Sequence, residues 1–533
     1  MIQPSNGFYH PASEDDIIPL IQYAAKNKLQ VRVCGAGQST SQAVYTDGYS
    51  PGNDSLQDTA NINILLDKMA MVTIDTASRQ ATVQAGCHLG YDPYDPADAS
   101  TLINGLFYQL QQKGLAIPNM ADAIHQTVAG YIATGSSGGS VEHSFFEWIV
   151  AITLIDGTGT QKVFKKPSPD NPADPFYGVG VSLGLLGVIT EVTFQCIDAF
   201  NVIGQQHIDP DSQAPVVDLF DSGTGGRPSL QSFLSSTEFT RLLWWPFPTV
   251  RRLITWQART MQPADYNTQT GTPAAFIPKP YKDLFFTVGG SELPAEGMAD
   301  AFFTMIGTWP QPLRDLLGNS TLTDRMEYFI EVIWPFMLPL LLNVYLPCDG
   351  THTPQQFWDT WLDGLPMDAR EYSNRLFPAL HTEFWVPLDQ SEKVMGVLKN
   401  YYDNTYFKVG DLKNRNATNG CYTIELAGAK SSSFWMNPAY GQDSFRVNIF
   451  WFGNNTGNVM DYFQQFWDLF MKSGIDFRMH WGYLLPPPSG DEGAAYLQKQ
   501  YPMWKQFMTL RSDMDPDNIF LNTYWKTQLG IGV

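Results

Sequence analysis

Two glycine-rich turns in the first third of the sequence have the composition of a site for a phosphorylated or flat ligand. The first spans Val31 to Ser41, VRVCGAGQSTS, where a β-branched run stops at Gly35-Ala36-Gly37. Backbone N–H groups of such a turn can converge on a phosphate or pyrophosphate, because glycine leaves them unobstructed. Gly-x-Gly turns are also common in loops without a ligand, so one turn alone is a weak signal.

The second turn spans Thr127 to Ser140, TVAGYIATGSSGGS. Its small residues would let the backbone approach a ligand closely, and Thr134, Ser136 and Ser137 add hydroxyl groups. A flexible linker is the alternative interpretation. Apolar residues interleaved with the glycines, and a strand-like run at Ile149 to Ile155 directly afterwards, favour a folded element instead.

The composition indicates a large globular chain with an aromatic interior. The chain has 533 residues, 44% of them hydrophobic and 14% aromatic. This length favours two or three units that can bury a ligand site. The formal net charge of −20 argues against nucleic acid or anionic lipid as a partner, because phosphate groups would be repelled.

Cysteine usage and hydropathy predict a cytoplasmic protein without a membrane span. The five cysteines are scattered without metal-ligand spacing, so we predict free thiols and no metal site. The N-terminal residues show no signal-peptide pattern. The longest apolar run, VIWPFMLPLLL at Val332 to Leu342, contains two prolines and is too short to span a bilayer. We interpret it as core, with an oligomer contact, a channel lining or a membrane-surface contact as alternatives.

Hydrophobic periodicity predicts a mixed α+β chain. The first part has a helix after Ser13, a strand leading into the first glycine turn, several short strands and a helix at Leu102 to Leu110. The later part has strand-like runs at Leu380 to Val386, Gly420 to Ala427 and Ser444 to Phe452, with helical runs at 390–402 and 459–471. The predicted units are 1–199, 200–475 and 476–533.

Several motifs in this order resemble one family of flavoproteins. Residues 13–199 resemble the FAD-binding domain of vanillyl-alcohol-oxidase or PCMH-type oxidoreductases, nearest the sugar-lactone and alditol oxidase branch. The matching segments are VRVCGAGQS with Thr46-Asp47-Gly48, KGLAIPNM, QTVAGYIATGSSGGS and GLLGVITEVTFQC. His480-Trp481-Gly482 and Tyr501 to Asn522 resemble the closing segment of the family, whereas the resemblance is thinner between 200 and 475.

The resemblance implies a two-part PCMH-type FAD-binding domain and a substrate-binding cap with an antiparallel sheet flanked by helices. FAD would lie between the two glycine turns, with its pyrophosphate on Gly35 to Ser39. Many relatives attach the flavin covalently to a histidine where this sequence has Gln38, so we predict non-covalent FAD. The common histidine of the second turn is replaced by Ser137, and Cys34 is interpreted as a packed strand residue rather than another tether. The residues implied to bind the cofactor are Cys34, Gly35, Ala36, Gly37, Gln38, Ser39, Asn119, Gly130, Thr134, Gly135, Ser136, Ser137, Gly138, Gly139, His143, Gly187 and Val188.

The resemblance also implies catalytic residues on the cap. The lactone and alditol branch carries a Glu-x-Arg pair on a strand facing the flavin, and here Glu425 is present whereas Ala427 stands in the arginine position. A carboxylate in an aromatic pocket could act as general base, although a solvated strand face would suit Glu425 equally well. The other candidates are Glu383, His480 and Tyr483, the last standing where relatives often have lysine. Arg446 and Lys430 are the cations that could replace those missing.

These departures predict a hydrophobic or aromatic substrate bearing a hydroxyl group, because two cations are missing and many aromatic rings remain. Hydride would pass from the alcohol C–H to flavin N5, with Glu425 or Tyr483 handling the hydroxyl proton. Oxygen or another acceptor would reoxidise the flavin. A flavoprotein that catalyses a non-redox cyclisation or isomerisation is the first alternative, and a binding protein without cofactor is the second. The sequence does not indicate an oligomeric state.

Overall fold

A computed structural model describes most of the chain. It covers residues 2–49, 60–120, 124–223, 225–246, 251–281, 354–366, 379–404, 424–452 and 458–532, with single positions at 321, 325, 346 and 348. The apolar run 332–342, Cys421 and the start of the strand predicted at Gly420 lie outside the described residues. Cys34, Cys87 and Cys196 are buried free thiols, as predicted.

The helices and strands alternate along the chain, which confirms the predicted α+β composition. The strands are β1 Val31–Cys34, β2 Ile62–Leu65, β3 Val72–Asp75, β4 Gln80–Gln84, β5 Leu115–Ala116, β6 Ile149–Ile155, β7 Gln161–Lys165, β8 Val188–Gln195, β9 Ile197–Asp198, β10 Asn201–Asp209, β11 Phe239–Trp245, β12 Arg252–Thr260, β13 Gly271–Thr272, β14 Ala275–Phe276, β15 Gln355–Thr360, β16 Ala379–Pro387, β17 Ile424–Ala429, β18 Ser444–Phe452 and β19 Arg478–Met479. The helices are α1 Glu14–Asn27, α2 Ser41–Val44, α3 Leu106–Gln112, α4 Val128–Ala133, α5 Phe176–Val179, α6 Leu230–Ser236, α7 Trp361–Gly364, α8 Ser391–Asn404, α9 Val459–Lys472, α10 Ala494–Gln500, α11 Trp504–Met514 and α12 Thr523–Leu529.

The N-terminal part of the chain contains a five-stranded antiparallel sheet and a separate parallel pair. The sheet has the order β3-β4-β8-β6-β7, and β1 pairs with β2 in parallel. Helix α1 buries Ile17, Leu20, Ile21 and Ala24, a spacing that places all four on one helical face. The helix packs against β6 and leads into β1, which precedes the first glycine turn.

The later part of the chain forms one eight-stranded sheet with the order β15-β10-β12-β11-β17-β18-β16-β19. Side chains alternate between its two faces, because successive strand residues point in opposite directions. The apolar face packs against helices, for example where the rings of Phe384 and Phe470 of α9 stack with centroids 4.2 Å apart. Residues such as Glu425 and Arg446 point to the opposite face, which is unusually polar for a buried surface.

The C-terminal segment returns to the first glycine turn. The N–H of Val31 donates to the carbonyl of Ile519 at 2.7 Å, and the indole N–H of Trp525 donates to the carbonyl of Ala43 at 3.0 Å. The side chain of Asn522 bonds two further carbonyls of this region at 2.8 Å. The domain boundaries given above stay predictions, and within the described ranges no helix combines the length and apolarity needed to cross a bilayer.

The second glycine turn docks directly on the polar face of the large sheet. The N–H of Thr240 on β11 donates to the carbonyl of Gly139 at 2.7 Å. A Cβ atom at Gly139 would lie 1.9 Å from the carbonyl oxygen of Thr240, and one at Gly138 would lie 1.9 Å from that of Met120. These two glycines are therefore required by protein packing. Their predicted contact with the cofactor stays a prediction.

This contact predicts that Gly139→Ala disrupts the joint between the turn and the sheet. Forcing backbone apart should cost about 1–3 kcal/mol, at the upper end because the clash involves a carbonyl oxygen. Gly396 in α8 is the matched control, since an added Cβ there meets no atom within 4 Å. Gly396→Ala should be neutral or stabilise the helix by up to about 1 kcal/mol. Thermal unfolding of both variants tests this, and equal melting temperatures would contradict the proposed role of Gly139.

Candidate active site

The two glycine turns line a cleft, and the C-terminal segment forms one side of it. The cleft consists of two adjoining cavities that share the residues Val33, Gly35, Thr127, Gly130 and Ala133. His480, Trp481, Tyr483 and Trp525 line its C-terminal side. Leu65, Asp67, His88 and Asp95 line the far end. Stretches that are distant in the sequence are thus brought together around a single site.

The first glycine turn has the conformation expected of an anion-binding loop. Gly37 has a φ of +72°, in the left-handed region, and an added Cβ there would meet no atom within 4 Å. Small residues line this part of the cleft, so a dinucleotide can approach the backbone and the site fits FAD. Glycine is required at position 35 for packing, because a Cβ there would lie 2.3 Å from the hydroxyl oxygen of Thr127.

Ten of the residues implied to bind the cofactor line this cleft, and they are Cys34, Gly35, Ala36, Gly37, Gln38, Ser39, Gly130, Thr134, Ser136 and Gly187. The other seven, Asn119, Gly135, Ser137, Gly138, Gly139, His143 and Val188, lie outside its lining. Gln126, Leu65 and Ser182 also line it and were missed by the sequence, because no glycine or motif marks them.

Asn119 and His143 stabilise the second glycine turn and do not line the cleft. The amide of Asn119 donates to the carbonyl of His143 at 2.7 Å, and the His143 ring lies 3.1 Å from the carboxylate of Glu238. Burial alone would raise the pKa of Glu238, but hydrogen bonds from His143 and Thr260 outweigh burial and lower it. His143 therefore has a partner on the cap sheet, and the structure gives no support for a role in cofactor binding.

His480 is the buried end of a hydrogen-bond chain in which the donor and the acceptor of each bond can be assigned. Its Nδ1 accepts from the backbone N–H of Gly482 at 3.1 Å, so Nε2 carries the proton and donates to Ser136 Oγ at 3.0 Å. Ser136 is 3.1 Å from Thr134 Oγ1, which donates to the carbonyl of Gly130 at 3.0 Å. Burial, with the charge of Arg446 nearby, lowers the pKa of His480 to about 3. His480 is consequently a neutral donor, which argues against a role as general base.

Two carboxylates flank Asn448 on the polar face of the large sheet. Strand register places Glu383 on β16, Asn448 on β18 and Glu425 on β17 in one row across three strands. Glu425 accepts from Arg241 Nε at 2.9 Å and from the amide of Asn448 at 3.1 Å. Glu383 accepts from Arg446 Nε at 2.9 Å and from the indole of Trp385 at 3.0 Å. Each predicted carboxylate therefore has its own arginine.

Arg446 occupies the place of the arginine that the Glu425 motif lacks. It is the direct cross-strand partner of Ala427, the residue at the expected arginine position. Its Nη1 donates to the carbonyl of Ser137 on the second glycine turn at 2.7 Å, and its guanidinium lies 5.0 Å from the Trp385 ring centroid. Lys430 instead pairs with Glu147. The inference that the site has lost its cations was therefore wrong.

The two carboxylates differ in their access to solvent. The side chains of Glu425 and Arg241 are each 9% exposed, whereas that of Glu383 is fully buried. Burial raises the pKa of Glu383, opposed by Arg446 and reinforced by the nearby charge of Glu425. Because burying an unpaired charge is costly, Glu383 mainly positions Arg446, and Glu425 is the more exposed of the two carboxylates.

Tyr483 forms an aromatic wall where the cleft meets the sheet. Its ring lies 4.3 Å from the His480 ring and 4.8 Å from the His381 ring, measured between centroids. The structure places Tyr483 in the lining of the cleft, so a ligand there would contact its ring.

Sequence comparisons relate the chain to lactone oxidases. The family model for D-arabinono-1,4-lactone oxidase matches residues 371–528. L-gulonolactone oxidase of Mus musculus is 23% identical over 97% of this chain and 93% of its own length. D-arabinono-1,4-lactone oxidase of Candida glabrata is 27% identical over 98% of this chain and 94% of its own length.

A solved structure shows the same fold. Cholesterol oxidase from B. sterolicum superimposes with a TM-score of 0.67 over 98% of this chain and 93% of its own, at 13% sequence identity. These comparisons support an FAD-dependent oxidoreductase, and the chain resembles the vanillyl-alcohol-oxidase-type enzymes that its motifs indicated. Within that class the chain resembles the sugar-lactone oxidases, and its cofactor is FAD.

The low pKa of His480 predicts a pH-dependent contribution to stability. A histidine with a folded pKa of about 3 stays neutral where the unfolded chain, with a pKa near 6.5, takes up a proton. The wild-type protein should therefore lose up to about 1.4 kcal/mol per pH unit as the pH falls from 6.5. His480→Gln, which can keep both hydrogen bonds, should lose less.

Melting temperatures of both proteins between pH 4.5 and 7.5 measure this difference. Ser136→Ala is the control, because it retains the buried imidazole and should keep the steeper wild-type dependence. Parallel curves for wild type and His480→Gln would contradict the lowered pKa of His480 in the folded protein.

Proposed function

We propose that this chain oxidises a hydroxyl-bearing carbon of a sugar lactone, with FAD as hydride acceptor. The observation that carries the proposal is the pair of arginine–glutamate contacts on the polar sheet face beside Ser137 of the second glycine turn. A polyhydroxylated ligand needs several charged donors and acceptors, which this face supplies. The lactone oxidases among the relatives support the same substrate class.

Glu425 and the residues around it would have distinct roles toward the substrate hydroxyl. FAD, when bound, supplies the hydride acceptor at flavin N5. Glu425 accepts the hydroxyl proton as general base, and Arg241 and Asn448 fix the orientation of its carboxylate. Arg446 contributes positive charge that stabilises negative charge developing on the substrate oxygen. Tyr483 and the neutral His480 exclude water from this end of the cleft.

The predicted preference for a hydrophobic or aromatic substrate is not retained. It rested on missing cations, whereas Arg241 and Arg446 both lie on the site face. Many of the aromatic rings that suggested an apolar cavity pack on the opposite face of the sheet, as Phe384 and Phe470 do. The non-redox alternative rested on the same supposed loss of catalytic groups. Because Arg241 and Arg446 are present on this face, that alternative no longer has a basis.

Three features support non-covalent FAD. Gln38 lies in the cleft lining at the position of the flavin-linking histidine of relatives. Both ring nitrogens of His480, a histidine in that lining, are engaged in hydrogen bonds. Burial raises the pKa of the Cys34 thiol to about 11, so its nucleophilic thiolate is scarce at neutral pH.

Anaerobic flavin reduction tests the substrate class. Sugar lactones are expected to bleach the yellow protein, whereas sterols and aromatic alcohols should not. Glu425→Gln should slow bleaching by roughly 10²–10⁴-fold, the usual contribution of a general base. Glu147→Gln is the control, because it removes a carboxylate that pairs with Lys430 and contacts neither Arg241 nor Arg446.

Three results would contradict the proposal. They are bleaching by sterols alone, an unchanged rate in Glu425→Gln, or an equal loss in Glu147→Gln. Admitting air to the bleached protein then distinguishes an oxidase, which regains its colour rapidly, from a dehydrogenase that needs another acceptor.

Acid precipitation tests the mode of flavin attachment. The yellow colour is expected in the supernatant, because neither Gln38 nor the buried Cys34 thiol forms a bond to the flavin. Flavin fluorescence of the denatured protein on a gel gives an independent measurement. A yellow pellet with a fluorescent protein band would disprove non-covalent binding.

A further inference from the structure

Arg32 is a buried cation beneath the first glycine turn. It lies on β1, is 5% exposed and donates to four backbone carbonyls, those of Ala43, Leu183, Gly184 and Phe520. Three of these contacts measure 3.0 Å. Arg32 thus connects β1 to three other stretches of the chain, and it also lines the cleft.

The charge of Arg32 is not neutralised by a carboxylate in the described part of the chain. None of the ion pairs there involves it, and all four groups to which it donates are backbone carbonyls. Burial lowers the pKa of Arg32 to about 10, so it remains charged at neutral pH. A buried charge without a counter-ion is costly unless something else supplies one.

One nitrogen of Arg32 also lacks a hydrogen-bond acceptor. Its Nε is buried and has no partner among the described residues. Arg478 provides a comparison, because it is 8% exposed and likewise bonds only carbonyls, yet its Nε donates to the carbonyl of Gln500 at 2.7 Å. The guanidinium of Arg478 also lies over the Tyr501 ring, and it does not line the cleft. Among the described residues, therefore, Arg32 alone combines an uncompensated charge and a vacant donor beside the cleft.

We propose that Arg32 is the buried counter-charge for the diphosphate of the dinucleotide held at the Gly35 to Ser39 turn. The turn supplies backbone N–H groups, which carry partial charges only. Arg32 adds a full positive charge in a low-dielectric setting, where its attraction for a dianion is screened little by salt. The proposal rests on FAD binding in this cleft, and it makes Arg32 a positioning residue that acts on the cofactor and not on the substrate.

Dilution of the holoenzyme, with flavin release followed by fluorescence, measures the FAD dissociation constant. Arg32→Met is expected to weaken FAD binding by about 30–100-fold, the effect of one charge acting at several ångströms in a protein interior. Arg32→Lys keeps the charge and should stay within about 10-fold of wild type. Arg478→Met is the matched control, because it removes a buried arginine bonded to carbonyls but should leave FAD affinity unchanged.

The ³¹P NMR signals of bound FAD separate the electrostatic role from a structural one. They should shift in Arg32→Lys and not in Arg478→Met. Equal losses of affinity in Arg32→Met and Arg478→Met, or an unchanged affinity in Arg32→Met, would overturn the proposal.

The unmodified apoprotein provides a test that does not depend on a variant folding. At matched ionic strength, inorganic pyrophosphate should raise its melting temperature by roughly 2–4 °C, whereas adenosine should not. No effect of pyrophosphate would overturn the proposal. A negative result in the affinity test or in the pyrophosphate test would not change the expected bleaching of the flavin by lactones. The role of Arg32 and the proposed lactone oxidation are therefore tested separately.

Discussion

The contact on which the site depends is the Arg446 guanidinium, which bonds Glu383 on one side and the carbonyl of Ser137 on the other. It joins the large sheet to the glycine turn, and it places positive charge on the polar face of that sheet. Because both charges are buried, removing either partner would leave an uncompensated charge. The same pair thus fixes the position of the turn and the electrostatics of the site.

The geometry of the sheet makes this contact possible. Strand alternation sends Glu425 and Arg446 to one face and Leu426 and Val447 to the face that packs on helices. A register slip of one residue would exchange these faces and bury the charges among aromatic rings. Gly138 and Gly139 then let the turn approach backbone carbonyls at distances that any side chain would prevent. The contact therefore requires both the correct strand register and the glycines at positions 138 and 139.

The sequence was informative wherever the relevant residues are neighbours along the chain. Glycine turns, the alternation around Glu425 and the closing motif at His480 are local patterns, and the structure brings all three to the same region. The role of Arg446 could not be predicted from the sequence. Arg446 is paired with Ala427 on the neighbouring strand, and no sequence spacing indicates that pairing. The reason for Gly138 was missed similarly, since its close neighbour is a backbone carbonyl. Such contacts depend on register and docking, which a local pattern does not contain.

Charge is distributed differently at the two ends of the site. On the sheet face, two carboxylates meet two guanidiniums and His480 is neutral, so the array carries no net charge and suits an uncharged, hydroxyl-rich substrate. Beneath the first turn, Arg32 is left without a carboxylate in the described ranges. A chain with a formal charge of −20 repels a dianion at long range. A buried local cation therefore gives the diphosphate a specific place, while the balanced face leaves substrate recognition to hydrogen bonds.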